Sequence, residues 1–599
     1  HTVGAGAPGG KHAALNTMFR HSALGCRWSA RLELTGAGAH NAGHLTSAYY
    51  FVMPELLATD FYYLRNFEFV LDWVGARYAD LLSADEHAFV RAFMQQPECS
   101  RALLVRLIMR KGDHFRASRL AYAEIGDIKQ AAQPLLEQGW LVTDQPIEVD
   151  ALARLLLKSE LASLDLGISQ AGKLGKQALL EQIAAQGLSA RPWSEWPGIP
   201  PDALYSLTIS PLCERLRLMF FGNLSQDWTE FVLSELGVQQ YEQVPFCTES
   251  RSFHRAADVD DYIYLGRCRD RLDAGDDVAE VLAVFADFAT ENPWIERRHQ
   301  RLRFQLGQQL EHEQRLEEAL ALYLQCQHSE ARQRAVRLHE RLGQPEQAYA
   351  LASSALAAPH SAAEQQLLER ALKRLGRKLS QPLPATQPEA DTPTRLLTLP
   401  GPAPLGVEHA VAEHLAQPEA PVFFVENGLI CSLFGLLCWD ALFAPLPGAF
   451  FHPFQSGPAD LHDAEFASRR APLFADALAA IDDGSYPAII KQRWQSKYGL
   501  QSPFVFWGLL DEPLLDLALS CIPARHLRLW CERMLKDIRA NRAGMPDLIQ
   551  FWPGEQRYCM VEVKGPGDRL QDNQRRWLAF CAEHDMPVEV VHVQWEATA

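Results

Sequence analysis

Twelve cysteines are scattered from Cys26 to Cys581 without a single C-x-x-C pair, which argues against a zinc ribbon or finger and for reduced thiols. No apolar run is long enough to cross a bilayer. The most apolar window, Asn427 to Trp439, is short and bracketed by Glu426 and Asp440, so it reads as a buried helix of a soluble protein. Positive charge is in deficit: 57 Lys and Arg against 74 Asp and Glu give a net charge of −17. That balance argues against nucleic-acid binding over the whole surface, yet leaves room for a local basic track. No secretory signal is apparent, and a cytoplasmic location is expected. The opening His1 to Gly10 looks like a cloning remnant and carries no fold information.

What is present suits several domains: 599 residues with 48% apolar content. The expected division is a cloning remnant and N-terminal extension over 1–40, then a helical, winged-helix-like DNA-binding region over 41–150. A SAP-like DNA-binding module and connector fill 151–250, helical repeats 251–380, a linker 381–404 and an α/β domain 405–599. The fold class is thus multidomain and mostly α. From about Tyr49 to Val142 apolar residues recur at helical spacing, and basic residues gather at Arg101, Arg106, Arg110, Lys111, Arg116 and Arg119. Such residues would serve phosphate contacts or simply a solvated helix face.

Over 151–190 two short leucine-bearing helices with a basic turn would offer Lys173 and Lys176 to a nucleic-acid backbone; a generic helical hairpin is the alternative. The runs beginning at Arg315 and Gln344 look like second helices of tetratricopeptide-type hairpins in a degenerate repeat. Arg297 and Arg298, with Arg301 and Arg303, crowd one helix of this array. They could cradle a duplex or act as surface salt-bridge partners. The Pro/Thr-rich stretch Ser380 to Pro404 breaks the periodicity and reads as a linker.

The chemistry concentrates near the C-terminal end. Gly544-Met-Pro546-Asp547 leads into an apolar strand ending at Trp552, and a second strand runs from Arg557 through Glu562-Val563-Lys564. A four-residue turn over 553–556 pairs Trp552 with Arg557, and counting back along the ladder sets Asp547 opposite Glu562. Opposed residues in an antiparallel pair have Cβ atoms roughly 4.5–5.5 Å apart, close enough for both acids to share a divalent cation. Lys564 points to the same face as Glu562. The acids are hard oxygen ligands suited to Mg²⁺ or Mn²⁺, and the Val563 carbonyl can add a third. Lys564 would position the attacking water and offset phosphate charge. The alternative, an exposed Glu/Lys pair on one strand face, conflicts with the buried character of Val561 and Val563 and with Asp547 standing opposite.

Pro546-Asp547…Glu562-Val563-Lys564 matches the PD-(D/E)XK nuclease pattern. With Gly544-Met-Pro-Asp-Leu, Val561-Glu-Val-Lys-Gly-Pro-Gly-Asp568 and Gln574-Arg-Arg-Trp577, the region resembles the VRR-NUC domain of Fanconi-associated nucleases. Val425-Glu426-Asn-Gly through Asp440 is similar to the first helix of that family's nuclease domain, which implies Glu426 as a further metal ligand. Tyr62-Tyr63-Leu-Arg-Asn-Phe, Leu107 to Lys111 and Leu120 to Ile125 resemble its first DNA-binding region, so the likeness spans about 49–599. It implies a bacterial, metal-dependent nuclease that incises 5′-flap DNA, degrades 5′ to 3′ and serves interstrand-crosslink repair, associated with the nucleoid when acting and monomeric on DNA.

The resemblance also implies a basic pocket for a 5′-phosphate, to which Arg539 and Arg542 correspond. A family lysine there is replaced by Asn573, so a weaker or differently built pocket is expected. Gln574 could reach the nucleophile or a phosphate, or be an ordinary surface residue. The ubiquitin-binding zinc finger of eukaryotic members has no Cys/His spacing to support it in this sequence. A phage- or restriction-type nuclease on linear duplex, or a DNA-binding repeat scaffold without activity, are the competing readings.

Overall fold

The computed structural model describes residues 61–226, 228, 239–382, 392–401 and 405–596. The stretch read as a cloning remnant, the start of the expected first helical region and part of the expected linker lie outside these. The chain first forms helices Tyr62–Tyr78, Ala84–Met94 and Glu98–Ile108. In the first of them Tyr63, Phe67, Val70, Leu71, Val74 and Tyr78 fall on one face at helical spacing, and all are buried. The second starts at a reciprocal cap: Ser83 Oγ accepts from Glu86 N–H, and the Glu86 carboxylate accepts from Ser83 N–H.

These helices pack with a three-stranded antiparallel sheet, the arrangement of a winged helix. Its central strand, Leu204–Leu207, lies between His114–Arg116 and Leu141–Thr143. The central strand therefore comes from the segment expected to be a connector. That expectation is corrected: the SAP-like module is inserted into the N-terminal domain, and helix Ser210–Phe221 returns to the same apolar core. All four residues of Leu204–Leu207 are buried, so the strand shows no alternation by which sequence could reveal it. Arg116 ties the insertion down, bonding Glu160 of the module at 2.8 Å and Asp202 at 2.9 Å while itself buried. The module's helices Val149–Leu155, Lys158–Ala162 and Lys176–Ala184 enclose a small core of Leu152, Leu161, Leu179 and Ile183 capped by Trp193 and Trp196.

Helices Pro293–His312, Leu316–Leu324, Ala331–Arg341, Pro345–Ala357 and Ala362–Leu379 follow as antiparallel hairpins, each against the next. Small residues let them approach. A Cβ on Gly307 would lie 2.6 Å from the Tyr323 ring, so glycine is required at that crossing.

The C-terminal domain is built on a five-stranded sheet. Its order is Thr394–Leu399, Val588–Trp595, Arg557–Lys564, Leu548–Trp552, Val422–Phe424, the first two junctions parallel and the last two antiparallel. Thr394–Leu399 falls inside the stretch read as a linker, which is a second correction. It is an edge strand with one neighbour, and Leu396 is 65% exposed, so it carries no apolar run or clean alternation for a sequence reading to find. Helix Gly428–Leu437 is buried at all ten positions, as its composition predicts. Helices Ala471–Asp482, Tyr486–Ser496, Glu512–Cys521 and Ala524–Lys536 complete one side, and Asp572–Glu583 crosses between the last two strands.

Candidate metal centre

The hairpin has the register read from its turn: Trp552 pairs with Arg557 and Leu548 with Val561, placing Asp547 one step beyond, across from Glu562. The backbone fixes Asp547 twice. Its Oδ2 accepts from Val563 N–H at 2.8 Å, and its carbonyl accepts from Val425 and Glu426 N–H at 2.9 and 3.1 Å. Glu562 is 0% exposed. Its Oε1 accepts from Lys564 Nζ and from Gln574 Nε2, both at 2.6 Å, whereas its Oε2 is buried without any partner.

Two buried carboxyls face each other here, and their acidities show the strain. Burial pushes the Asp547 carboxyl up to about 6, with Glu426 and Glu408 adding to the rise and Val563 N–H and Lys564 opposing it. Burial and the charge of Asp547 push Glu562 up to about 8, against the pull of Lys564. An orphaned carboxylate oxygen beside a second buried acid is an arrangement a divalent cation would relieve, so the residues fit such an ion.

Glu426 is only partly where the resemblance put it. Its backbone N–H is bonded to Asp547, but its side chain is exposed and its Oε1 accepts from Asn427 Nδ2 at 3.1 Å. Among the described residues no three His, Cys, Asp or Glu side chains converge as a metal cluster. Two acids are buried face to face, with Glu426 beside them and its charge acting on Asp547. The reason is local: Asn427 adopts a left-handed conformation (φ 52°) that starts the helix and holds Met545 N–H through its Oδ1 at 3.1 Å, leaving Glu426 turned to solvent. Glu408, in the first turn of helix Val407–Leu415, also acts on Asp547, and no sequence spacing pointed to it.

Gln574 is more specific than its sequence context suggests. In the first turn of helix Asp572–Glu583, its Oε1 accepts from Gln571 N–H at 2.9 Å, so the amide is oriented with its NH₂ toward Glu562.

The basic residues divide sharply. Arg110 and Lys111 are exposed just past helix Glu98–Ile108, Arg110 donating to Tyr122 Oη at 3.0 Å. Lys173 is exposed, and Lys176 donates to the Leu156 carbonyl at 3.2 Å. By contrast Arg101 pairs with Glu68, Arg106 with Glu124, and Arg116 lies in the buried bridge described above. Arg297 pairs with Asp463 at 2.9 Å, and Arg298 donates to Tyr262 Oη at 2.6 Å with its guanidinium 3.9 Å from that ring's centroid. The expectation that Arg297 and Arg298 face a duplex is therefore corrected: they hold the repeats to neighbouring elements. Arg539 is exposed, 3.6 Å from Glu330, and Arg542 donates to the Pro503 carbonyl at 2.7 Å while stacking on Phe504.

Three family descriptions match the chain: the VRR-NUC domain over 481–595, the "FAN1, HTH domain" over 61–142 and the Fanconi anemia-associated nuclease SAP domain over 146–196. A Fanconi-associated nuclease 1 homolog of Pseudomonas aeruginosa is 52% identical over 546 residues, covering 91% of this chain and 98% of its own length. A homolog from Arabidopsis thaliana is 24% identical over 600 residues, covering 89% of this chain and 67% of its own length. A crystal structure of paFAN1 bound to 5′-flap DNA with a 2-nt flap and a gap superposes with a TM-score of 0.83. That match has 52% identity and covers 91% of this chain and all of that one.

Proposed function

The chain belongs to the Fanconi-associated nuclease family, and from that premise we propose that Asp547, Glu562 and Lys564 form the hydrolytic centre with which it cuts 5′-flap DNA. It is a structure-specific DNA nuclease with a VRR-NUC domain, a domain class that depends on a divalent metal. The observation that carries the site assignment is Glu562, wholly buried, with one oxygen held by Lys564 and Gln574 and the other without a partner opposite Asp547.

Mg²⁺ or Mn²⁺ is the ion that suits these donors, held by Asp547, Glu562, the Val563 carbonyl and Glu426. When bound it supplies charge neutralisation at the phosphate and a more acidic water. The chain's own residues do the rest. Val563 N–H fixes the Asp547 carboxylate, and Gln574 fixes Glu562. Lys564, itself 8% exposed, sits beside both acids, where it offsets charge developing on the phosphate and orients the attacking water. Arg110, Lys111, Lys173 and Lys176 are the basic residues of the N-terminal domain and its insertion best placed to hold DNA, with Arg539 and Arg542 nearer the nuclease site.

Interstrand-crosslink repair is the setting this activity serves in the family. Among the described residues no helix is long and apolar enough to cross a membrane. The proposed setting is the cytoplasm, with the enzyme acting on DNA as a monomer. The test is cleavage of labelled 5′-flap, 3′-flap and linear duplex DNA with Mg²⁺ or Mn²⁺. Preferential incision of the 5′ flap, lost in Asp547→Ala, is expected. Equal cutting of linear duplex would favour a restriction-type activity, and undiminished cleavage by Asp547→Ala would overturn the site.

A further inference from the structure

Phe506 is a large apolar side chain left 44% exposed, and its surroundings hold it firmly. The loop around it is anchored at four points. Phe506 N–H donates to Ser432 Oγ at 3.0 Å, Trp507 Nε1 to the Leu500 carbonyl at 2.7 Å, Trp494 Nε1 to the Leu510 carbonyl at 2.9 Å, and Arg542 to the Pro503 carbonyl at 2.7 Å. Its neighbours Phe504 and Val505 are buried in the nuclease core.

The loop also rests on the start of helix Gly428–Leu437. A Cβ at Gly428 would lie 2.2 Å from Leu509 Cδ2 and 3.9 Å from Phe506 Cδ2. Glycine at 428 is thus what lets the loop settle, and Gly428 lies two residues along the chain from Glu426, whose N–H is bonded to the Asp547 carbonyl. An exposed aromatic ring on an anchored loop, packed at the start of the helix that follows Glu426, has the properties of a stacking platform. Every nucleobase offers a π-face, and such a platform needs no sequence preference.

We propose that Phe506 is a nucleobase-stacking residue: the strand entering the metal site lays a base flanking the scissile phosphate against the exposed side of its ring. The platform would hold that nucleotide in place while Asp547, Glu562 and Lys564 act on the phosphate, so the proposal rests on the site assignment above. Stacking of this kind makes the substrate's fit depend on having a base at one position, whatever that base is.

The experiment crosses a protein change with a DNA change. Phe506→Ala, Phe506→Trp and wild type are assayed on 5′-flap substrates carrying one abasic nucleotide, moved stepwise through the cleavage region. Phe506→Ala is expected to raise KM about tenfold, with kcat and melting temperature little changed, and Phe506→Trp to restore it. At one position the abasic substrate should cost wild type a similar factor and cost Phe506→Ala nothing more. Independent, multiplicative losses at every position would overturn the stacking role, as would an unchanged KM for Phe506→Ala. Failure of Asp547→Ala to abolish cleavage would instead overturn the site itself, so the two outcomes are separable. Photocrosslinking of 5-iodouracil at the sensitive position, in EDTA, should label the Phe506 peptide of an intact wild-type protein.

Discussion

Gln574 donates to Glu562 Oε1 at 2.6 Å, on the same oxygen that accepts from Lys564 Nζ at 2.6 Å. The helix Asp572–Glu583 thereby sets the orientation of a carboxylate on a neighbouring strand and leaves Oε2 as the oxygen without a partner. Partners of this kind typically cost about 10–100-fold in metal affinity or activity when removed. Gln574→Ala should therefore lower single-turnover flap cleavage by about that factor and weaken Mn²⁺ binding measured calorimetrically, with DNA affinity retained. Equal loss of DNA affinity would assign Gln574 to the substrate instead.

The legibility of this site in the sequence was uneven, for physical reasons. Register follows from turn length, so Asp547 and Glu562 could be set opposite each other from counting alone, and Trp552 pairs with Arg557 as counted. Burial of Asn427 to Trp439 follows from composition. Glu408 reaches Asp547 from an element far away in the chain, and the Gln574 donation depends on how its helix packs against the preceding strand, so no local pattern encodes either. The same holds for arginines: exposed Arg110 and internally paired Arg298 look alike in sequence, because a partner such as Tyr262 is known only once the helices pack. The edge strand Thr394–Leu399 was missed because it has one neighbour and little burial to mark it.

Asp547 should be a residue that costs stability to keep. Its carboxyl is pushed from 3.8 to about 6, chiefly by burial. A raised carboxyl favours the protonated form in the folded state, so the penalty is absent below about pH 4 and complete above about pH 6. At pH 8 without metal, Asp547→Asn should therefore unfold later than wild type, by about 3 kcal/mol at most in a urea titration. Cleavage should be lost at the same time, and Mn²⁺ should stabilise wild type while leaving the variant unchanged. A variant less stable than wild type at pH 8 would contradict this reading.

The repeats grip the helix that carries Gln574. Arg370 donates both guanidinium nitrogens to the Asp572 carboxylate at 2.6 Å, and Arg576 donates to Gln366 at 2.7 Å. The Arg370–Asp572 pair is about half exposed, so its contribution to stability should stay below about 1 kcal/mol. Arg370→Asp should nonetheless depress flap cleavage more than it depresses melting temperature, since it sets two acids against each other two residues from Gln574. Combining it with Asp572→Arg should recover part of the activity, which a simple loss of folded protein would not.

A 5′-phosphate should matter only modestly to this enzyme. Asn573 packs against Gly544, where an added Cβ would lie 2.7 Å from its side-chain carboxamide, so it is committed to backbone packing. Arg542 is engaged with the Pro503 carbonyl and Phe504, leaving Arg539 as the more exposed cation nearby. Matched flaps ending in phosphate or hydroxyl should differ by less than about tenfold in kcat/KM, because one exposed cation supplies a single charge-assisted contact. A much larger preference would reveal a pocket built from other residues.

His452 should make the docking of the nuclease domain on the N-terminal domain sensitive to acid. It is 1% exposed, stacked on Phe220 with ring centroids 5.1 Å apart, and its Nδ1 accepts from Phe454 N–H at 3.2 Å. Its buried Nε2 has no partner, and burial pushes the imidazole down to about 3. The folded state thus keeps the ring neutral, whereas an unfolded chain takes up a proton below about pH 6.5. Protonation favours the unfolded side across that interval, so this contribution to stability is intact above about pH 6.5 and declines as pH falls toward 3. At pH 5 the loss from this residue is about 2 kcal/mol. His452→Gln, which keeps an acceptor but cannot take up the proton, should narrow the gap between urea midpoints at pH 7.5 and pH 5. An unchanged gap would mean that the imidazole titrates normally and that the stacked geometry does not exclude water.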